Sequence, residues 1–317
     1  MLSVLIPFYN EEQQIPLTIA AVVPILESVD PDFELVLVDD GSRDRTFAII
    51  EEAASRDRRI VGLRFSRNFG KEAAICAALD YAHGDAVILM DGDLQHPPEH
   101  IPEMVRLWRE EHYDVVEGVK TSRGHESFAS KLNAKVFYGL FRRFAGYDLR
   151  NASDFKLLDK QVVAEWRRLG EHDTFFRGLS AWLGFKRTTF SFEVAERPAG
   201  GSKWSLFRLI GLSVNAITGF SAMPLQFITF LGLFMLAGSF IVAIQTLIVW
   251  FSGEAASGFT TVILLLLLIG GSIMVSLGLI GIYIARIFTE VKGRPRYIIA
   301  STTADERNRP VTMPPKA

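Results

Sequence analysis

The sequence predicts an α/β fold, a mostly parallel sheet with helices on both faces, followed by two membrane-length helices. Three observations lead there. The first 120 residues alternate short β-rich apolar runs with amphipathic stretches, carboxylates gather where those runs end, and two long uncharged apolar segments lie near the C-terminus. Alternation of this kind is the βαβ pattern of a parallel sheet.

In chain order, the expected strands are "SVLIPF", "FELVLVDD", "IVGLRFS", "DAVILMD" and "DVVEGV". Helical patterns such as "TFAIIEEAASR" and "KEAAICAALDYA" lie between them. In open sheets of this type ligands bind beyond the carboxyl ends of the strands, near the point where strand order reverses. Asn10 and Glu11 follow the first strand, Asp39 and Asp40 the second, Asp91 and Asp93 the fourth. Three polar clusters are therefore expected along one edge.

Each cluster has a plain structural reading too. "DDGS" at 39–42 suits a strand-to-helix turn, with Gly41 turning and Ser42 or Asp44 capping the next helix. "DGDLQHP" suits a turn in which Gly92 is permissive and Pro97 and Pro98 open a helix. Two carboxylates one residue apart nevertheless repel unless a positive charge lies between them. A hard divalent cation that also bridges phosphates supplies one. Gln95 adds a neutral oxygen, and extended residues two apart share a face, so Asp91, Asp93 and Gln95 are expected on one side. His96 and His100 lack a third nitrogen or sulfur ligand, which argues against zinc.

The chain has 317 residues and a formal net charge of −2, which gives no sign of a nucleic-acid partner. Its one cysteine, Cys76, cannot build a disulfide framework, which fits a reducing compartment. "MLSVLIPFYN" lacks the basic and apolar regions of a secretory leader, so the N-terminal part is expected in the cytoplasm.

Six motifs occur in order: "PFYNEE", "VDDGSRDRT", "RNFGKEAA", "DGDLQHP", "NASDFKLLD" and "RPAGGSKWS". Together they resemble the GT-A-fold family 2 glycosyltransferases over roughly residues 1 to 300. The nearest resemblance is to the polyprenyl-phosphate glycosyltransferases, the group of dolichyl-phosphate mannose synthase and the bacterial undecaprenyl-phosphate glucosyltransferases of the GtrB type.

That resemblance implies that Pro7, Tyr9, Asn10 and Glu11, with Asp39 and Asp40, hold the nucleoside of a UDP-sugar. It makes Asp91 and Asp93 the DXD pair for Mg2+ or Mn2+, with Gln95 as companion, and Asp154 the catalytic base or acceptor-orienting group. Arg67 and Lys71, with Arg197, Ser202 and Lys203, match positions that meet the diphosphate and the acceptor phosphate. Physically, a diphosphate needs cations, and Gly200 and Gly201 let a loop close with Lys203 as a point charge. Lys203 also reads as a membrane-surface lysine, and Asp154 as an ordinary partner of Lys156. The implied reaction is inverting transfer of glucose from UDP-glucose to undecaprenyl or another polyprenyl phosphate. N-acetylhexosamine, mannose and aminoarabinose donors are alternatives, and the family implies a homo-oligomer.

Residues 226–251 and 259–285 contain no charges and are long enough to cross a bilayer, which requires about 20 residues. The link "SGEAASG" has no Lys or Arg, whereas Lys203 and Arg208 precede the first span and Arg286, Lys292, Arg294 and Arg296 follow the second. The positive-inside rule therefore puts both flanks in the cytoplasm. The expected organisation is a cytoplasmic catalytic domain at 1–204, interfacial amphipathic helices at 205–224, a transmembrane hairpin at 225–288 and a cytoplasmic tail at 289–317, disordered from about Ser301. The expected location is the bacterial inner membrane, with the lipid bilayer itself as a partner. "VKTSRGHESFASK", 119–131, reads either as a loop that orders over the donor or as a surface loop.

Other classes fit less well. A processive polysaccharide synthase should carry Q-x-x-R-W, which "QVVAEWRR" does not match. A non-catalytic membrane adaptor should have lost carboxylates that are all present, and no G-x-G-x-x-G follows the first strand.

Overall fold

The structure is a computed structural model that describes residues 1–120, 153–171, 175–192, 223–252 and 258–304. Two compact units emerge: Met1–Lys203 with Arg294–Ala317, and Trp204–Gly293.

The first unit is built on β1 (Leu2–Phe8), β2 (Phe33–Asp39), β3 (Ile60–Phe65), β4 (Ala86–Leu89), β5 (Val115–Lys120), β6 (Lys156–Asp159), β7 (Arg187–Phe192) and β8 (Ile299–Thr302). Among the described residues they form one sheet in the order β7-β5-β6-β4-β1-β2-β3-β8. β1 pairs in parallel with β2 and β4, β2 with β3, and β5 with β7. β6 is antiparallel to both β4 and β5. The apolar runs "LSVLIPF" and "FELVLVD" are buried almost throughout, as strands covered on both faces must be.

The helices of this unit are α1 (Gln14–Val29), α2 (Thr46–Arg56), α3 (Lys71–Tyr81), α4 (Ile101–Arg109), α5 (Lys160–Arg168) and α6 (Phe176–Trp182). α1 buries Ile15, Thr18, Val22 and Leu26, a single stripe at helical spacing. α3 is different: Ala73 through Leu79 are all buried, because small side chains let it pack on the sheet and on α5 at once.

β2 and β3 lie on one side of β1 and β4 on the other, so strand order reverses between β1 and β4. The carboxyl ends of these two strands open a crevice there. β4 stops at Leu89, two residues short of the expected "DAVILMD". Met90 N–H still reaches Leu5 O at 3.2 Å, but Asp91 N–H turns away to His96 Nδ1 at 3.1 Å. Asp91 therefore stands in the turn rather than on the strand.

The expected disorder from Ser301 is corrected for the described residues. β8 adds to the sheet edge antiparallel to β3, and Thr303 closes the pairing on Gly62 by its N–H and its hydroxyl. Just before β8, Tyr297 stacks on Phe65 at 5.3 Å and donates its hydroxyl to Asp80 at 2.7 Å. Arg296 donates to Leu169 O. These contacts pin residues 296–303 to β3, α3 and the chain after α5.

The second unit contains α7 (Met223–Phe251) and α8 (Phe259–Val291). Pro224–Val249 and Leu265–Val291 are long and apolar enough to cross a membrane, by length and composition, and neither is buried within the chain. α8 runs on through Arg286 and Glu290, past the expected end of the span at 285. The interfacial segment 205–222 lies outside the described residues.

Candidate active site

Loops at four strand ends build the site, and backbone-directed hydrogen bonds fix them. After β1, Asn10 takes a left-handed conformation (φ 54°), which asparagine tolerates better than most residues. Its N–H donates to Ser42 Oγ at 2.8 Å, and its Oδ1 accepts from Arg43 N–H at 2.9 Å. Asp39 is fully buried, accepts Ser42 N–H at 2.9 Å and lies 3.5 Å from Arg64. Asp44 accepts from Thr46 N–H, the turn chemistry expected of "DDGSRD". Asn10 thus ties the β1 loop to the β2 loop, Asp39 shapes the β2 turn from within, and neither is among the residues that line the cleft.

Asp40 reaches the loop after β3. Its two oxygens accept Phe69 N–H at 2.7 Å and Gly70 N–H at 2.9 Å, which sets the start of α3 and hence Lys71. Burial raises its pKa and those two N–H groups oppose the rise. Arg67 stacks over Phe69 at 4.0 Å and donates to Asn68 O, outside the cleft lining.

An open cleft of about 350 Å³ results, lined by Pro7, Tyr9 and Glu11 at the end of β1 and beyond it, Asp40 after β2, Asn68, Gly70 and Lys71 after β3, and Asp91 to Asp93 after β4. Gly92 is required there, because a Cβ would overlap the Phe8 ring. Leu94 has φ 56°, so residues 91–95 form a turn and not an extended segment. The expected face-sharing of Gln95 is corrected accordingly. The backbone N–H of Gln95 donates to Asp93 Oδ1 at 3.1 Å, and its side chain does not line the cleft.

His96 is buried, stacked on Phe155 at 5.2 Å, and its Nδ1 accepts a backbone N–H, so it orders the turn. Among the described residues no group of three or more His, Cys, Asp or Glu side chains could hold a metal alone.

The DXD pair still fits a hard cation. Glu11 is pushed up to about 6, by burial first and then by the charges of Asp93 and Asp91, against the opposing charge of Lys71. Two carboxylate ligands, completed by substrate phosphate oxygens, are the usual way a protein holds Mg2+.

Asp154 is buried beside this cleft, and its partners were not foreseen. Arg177 from α6 donates Nε to Oδ1 at 2.7 Å and Nη2 to Oδ2 at 2.8 Å, and Lys71 Nζ donates to Oδ2 at 2.8 Å. Lys71 Nζ also contacts Asp91 Oδ1, bridging the two aspartates. Burial alone would raise the Asp154 pKa, but Arg177 and Lys71 outweigh it and hold the carboxyl well below the usual range. The Lys71 pKa moves the other way and is raised: burial works against its charge, and Asp154 and Asp91 prevail.

Lys156 does not pair with Asp154. It is fully buried on Glu117 at 2.8 Å, with Ser180 as a second partner, behind the site. Asp159 caps α5 through Gln161 N–H.

Arg177 and Glu72 are the residues that sequence reasoning missed. Glu72, next to Lys71, accepts Phe176 N–H at 2.8 Å and so ties α3 to α6. The one signal for Arg177 was a charge inside the otherwise apolar "FFRGLSAW". Arg197, Ser202 and Lys203, and residues 121–131 of the candidate loop, lie outside the described residues.

Comparison with known proteins follows the same lines. The model of the family described as "Glycosyl transferase family 2" matches residues 3–164. An uncharacterized glycosyltransferase of Bacillus subtilis, YkcC, is 38% identical over 97% of this chain and 95% of its own. The SfII prophage-derived bactoprenol glucosyl transferase of Shigella flexneri is 36% identical over 94% of this chain and 97% of its own. A prophage bactoprenol glucosyl transferase homolog of Escherichia coli is 35% identical over 94% and 98%. A GT-A sheet with its polar cleft at the switch point, a family model over half the chain and relatives matched nearly end to end lead to one conclusion: the chain belongs to glycosyl transferase family 2.

Proposed function

We propose that this glycosyltransferase moves glucose from UDP-glucose to a polyprenyl phosphate at the cytoplasmic face of a bacterial plasma membrane. The observation that carries the reading is the switch-point cleft, where Lys71 bridges the DXD aspartate Asp91 to Asp154. Both substrates of such a transfer are phosphates, so cations are needed on each side of the reacting carbon. Two relatives named for bactoprenol glucosyl transfer support the sugar and the lipid carrier. Two helices of membrane-crossing length support a lipid-embedded acceptor. The resemblance extends the proposal to a homo-oligomer.

Pro7, Tyr9, Glu11 and Asp40 form the wall against which the nucleoside lies. An acceptor phosphate oxygen attacks the anomeric carbon as the bond to the nucleoside diphosphate breaks, and the single displacement inverts configuration. Mg2+ or Mn2+ held by Asp91 and Asp93 would supply charge neutralisation at the leaving diphosphate. Lys71, with Arg197, Ser202 and Lys203, adds cationic and hydroxyl donors for the two phosphates. Asp154 orients Arg177 and Lys71.

The test is transfer by the full-length protein in liposomes containing polyprenyl phosphate, with a panel of radiolabelled nucleotide sugars. Label from UDP-glucose should enter the organic extract, and both EDTA and Asp93→Asn should abolish it. Label in a polymer, or preferential use of another sugar, would overturn the corresponding part of the proposal.

A further inference from the structure

Lys71 is shared in a way that binding a diphosphate does not by itself require. Its Nζ contacts Asp91 Oδ1 and lies 2.8 Å from Asp154 Oδ2. The rest of the residue cannot wander: Lys71 is the first residue of α3, and Asp40 holds the Gly70 N–H just before it. The side chain alone can move, between two carboxylates.

A divalent cation on Asp91 needs that carboxylate at direct coordination distance, about 2.0–2.1 Å for Mg2+. An ammonium on the same carboxylate would then face a dication at close range. The two repel strongly where water screens poorly, so they exclude each other. We propose that Lys71 is a built-in competitor of the divalent cation, holding the Asp91 oxygen until the ion arrives and then retreating to Asp154. The inference rests on the reading of Asp91 and Asp93 as the metal pair and goes beyond it.

Asp154 makes the exchange easy. Lys71 already bonds to it, so losing Asp91 does not strand the ammonium, and Arg177 keeps Asp154 paired throughout. The released donor capacity of Lys71 points to the cleft that Lys71 lines, where the diphosphate would lie. Metal and donor phosphate would thus be taken up together, and the metal alone would bind weakly.

The experiment is Mn2+ binding to the detergent-solubilised full-length protein, followed by electron paramagnetic resonance without donor or acceptor. Lys71→Met should bind Mn2+ about tenfold more tightly than wild type, the effect of losing one charge-assisted contact. Lys71→Gln should do the same, and melting curves of both variants establish folding. Lys71→Arg, which keeps the charge, should stay within about threefold of wild type. Arg177→Met removes a neighbouring charge that touches Asp154 rather than Asp91, and should also change affinity by no more than about threefold.

Unchanged or weaker Mn2+ binding in both neutral Lys71 variants overturns the competition, as does an equal gain in Arg177→Met. If Asp93→Asn loses Mn2+ while the Lys71 variants match wild type, only the role of Lys71 falls. If wild type binds no Mn2+ and turns over in EDTA, the metal reading falls with it.

Discussion

Arg177 grips Asp154 with two parallel bonds, Nε to Oδ1 at 2.7 Å and Nη2 to Oδ2 at 2.8 Å. Only a guanidinium presents that fork, and a lysine in its place would be a single point charge. With Lys71 on Oδ2 as well, the carboxylate accepts three N–H donors. Arg177 and Lys71 thus hold its pKa below the ordinary range against the effect of burial. A carboxylate so stabilised is a poor base, and the two cations it holds stand beside the cleft.

Asp154→Asn should therefore lose activity by orientation and not by lost proton transfer. An acceptor phosphate monoester, with a second pKa of about 6, is mostly dianionic at neutral pH and has no proton that must be removed. The deficit should be on the order of 10²-fold and roughly constant between about pH 6.5 and 8.5. A deficit that is large at acid pH and vanishes toward pH 8.5 would establish base catalysis instead.

Glu72 gives a pH signature in stability. Its carboxyl is pushed up from 4.5 to about 7, mainly by burial, although Phe176 N–H, Lys71 and Arg177 favour the charged form. A folded-state pKa above the unfolded one means that the folded chain binds more protons in this window, so stability falls as pH rises from about 4.5 to 7. Glu72→Gln keeps an acceptor for Phe176 N–H and removes the titration. Relative to wild type it should be stabilised above pH 7, by about 1–2 kcal/mol after allowance for solvent screening, with the gain gone below pH 4.5. Melting temperatures across that range check it, and a pH-independent difference would contradict it.

How far the site was legible depended on whether its chemistry was local. The strand ends and the DXD pair could be read because apolar runs have a period and carboxylates at their ends stand out. Arg177 could not, since it meets Asp154 across 23 residues and sits on a seven-residue helix too short to show a pattern. Lys71 and Asp154 are 83 residues apart. Gln95 was misplaced for a different reason: face-sharing assumes extended backbone, and the positive φ of Leu94 breaks it. The local roles of Asn10 and Asp39 were not legible either: Asn10 joins the β1 loop to the β2 loop through Arg43 N–H, and Asp39 closes its own turn on Ser42 N–H. β8 escaped notice because a four-residue, largely exposed "IAST" is too short to show alternation and buries almost none of its side chains.

That edge strand has a mechanical consequence for α3, the helix that begins with Lys71. Tyr297 OH donates to the partly buried Asp80 near the other end of α3, and its ring stacks on Phe65. Tyr297→Phe keeps the stack but leaves Asp80 without this donor, which should cost about 1–3 kcal/mol. A measured change below about 0.5 kcal/mol, the range of ordinary surface substitutions, would show that the Tyr297–Asp80 bond does not anchor α3.

The last prediction concerns which way the chain crosses the membrane. α7 and α8 each contain a stretch of membrane-crossing length, and they are joined by a link of a few residues with no Lys or Arg. Arg286, Lys292, Arg294 and Arg296 cluster at the far end of α8, within the range over which basic residues set orientation. A second constraint is independent of charge. Residues 296–303 pair with β3 and α3 in the same unit as the cleft, so the chain after α8 must emerge on the side where the sheet folds. Two spans and one shared side require the link to lie opposite. A fluorescent reporter fused after Ala317 should therefore light up in the cytoplasm, and a cysteine placed at Ala256 should react with a membrane-impermeant maleimide from outside. A reporter active only in the periplasm would overturn this orientation, and the cysteine at Ala256 then tells how. If that cysteine still labels from outside, one span is lost and β8 cannot pair with a sheet that stays in the cytoplasm; if it labels only from within, both spans and the β8 pairing stand and the whole topology is inverted.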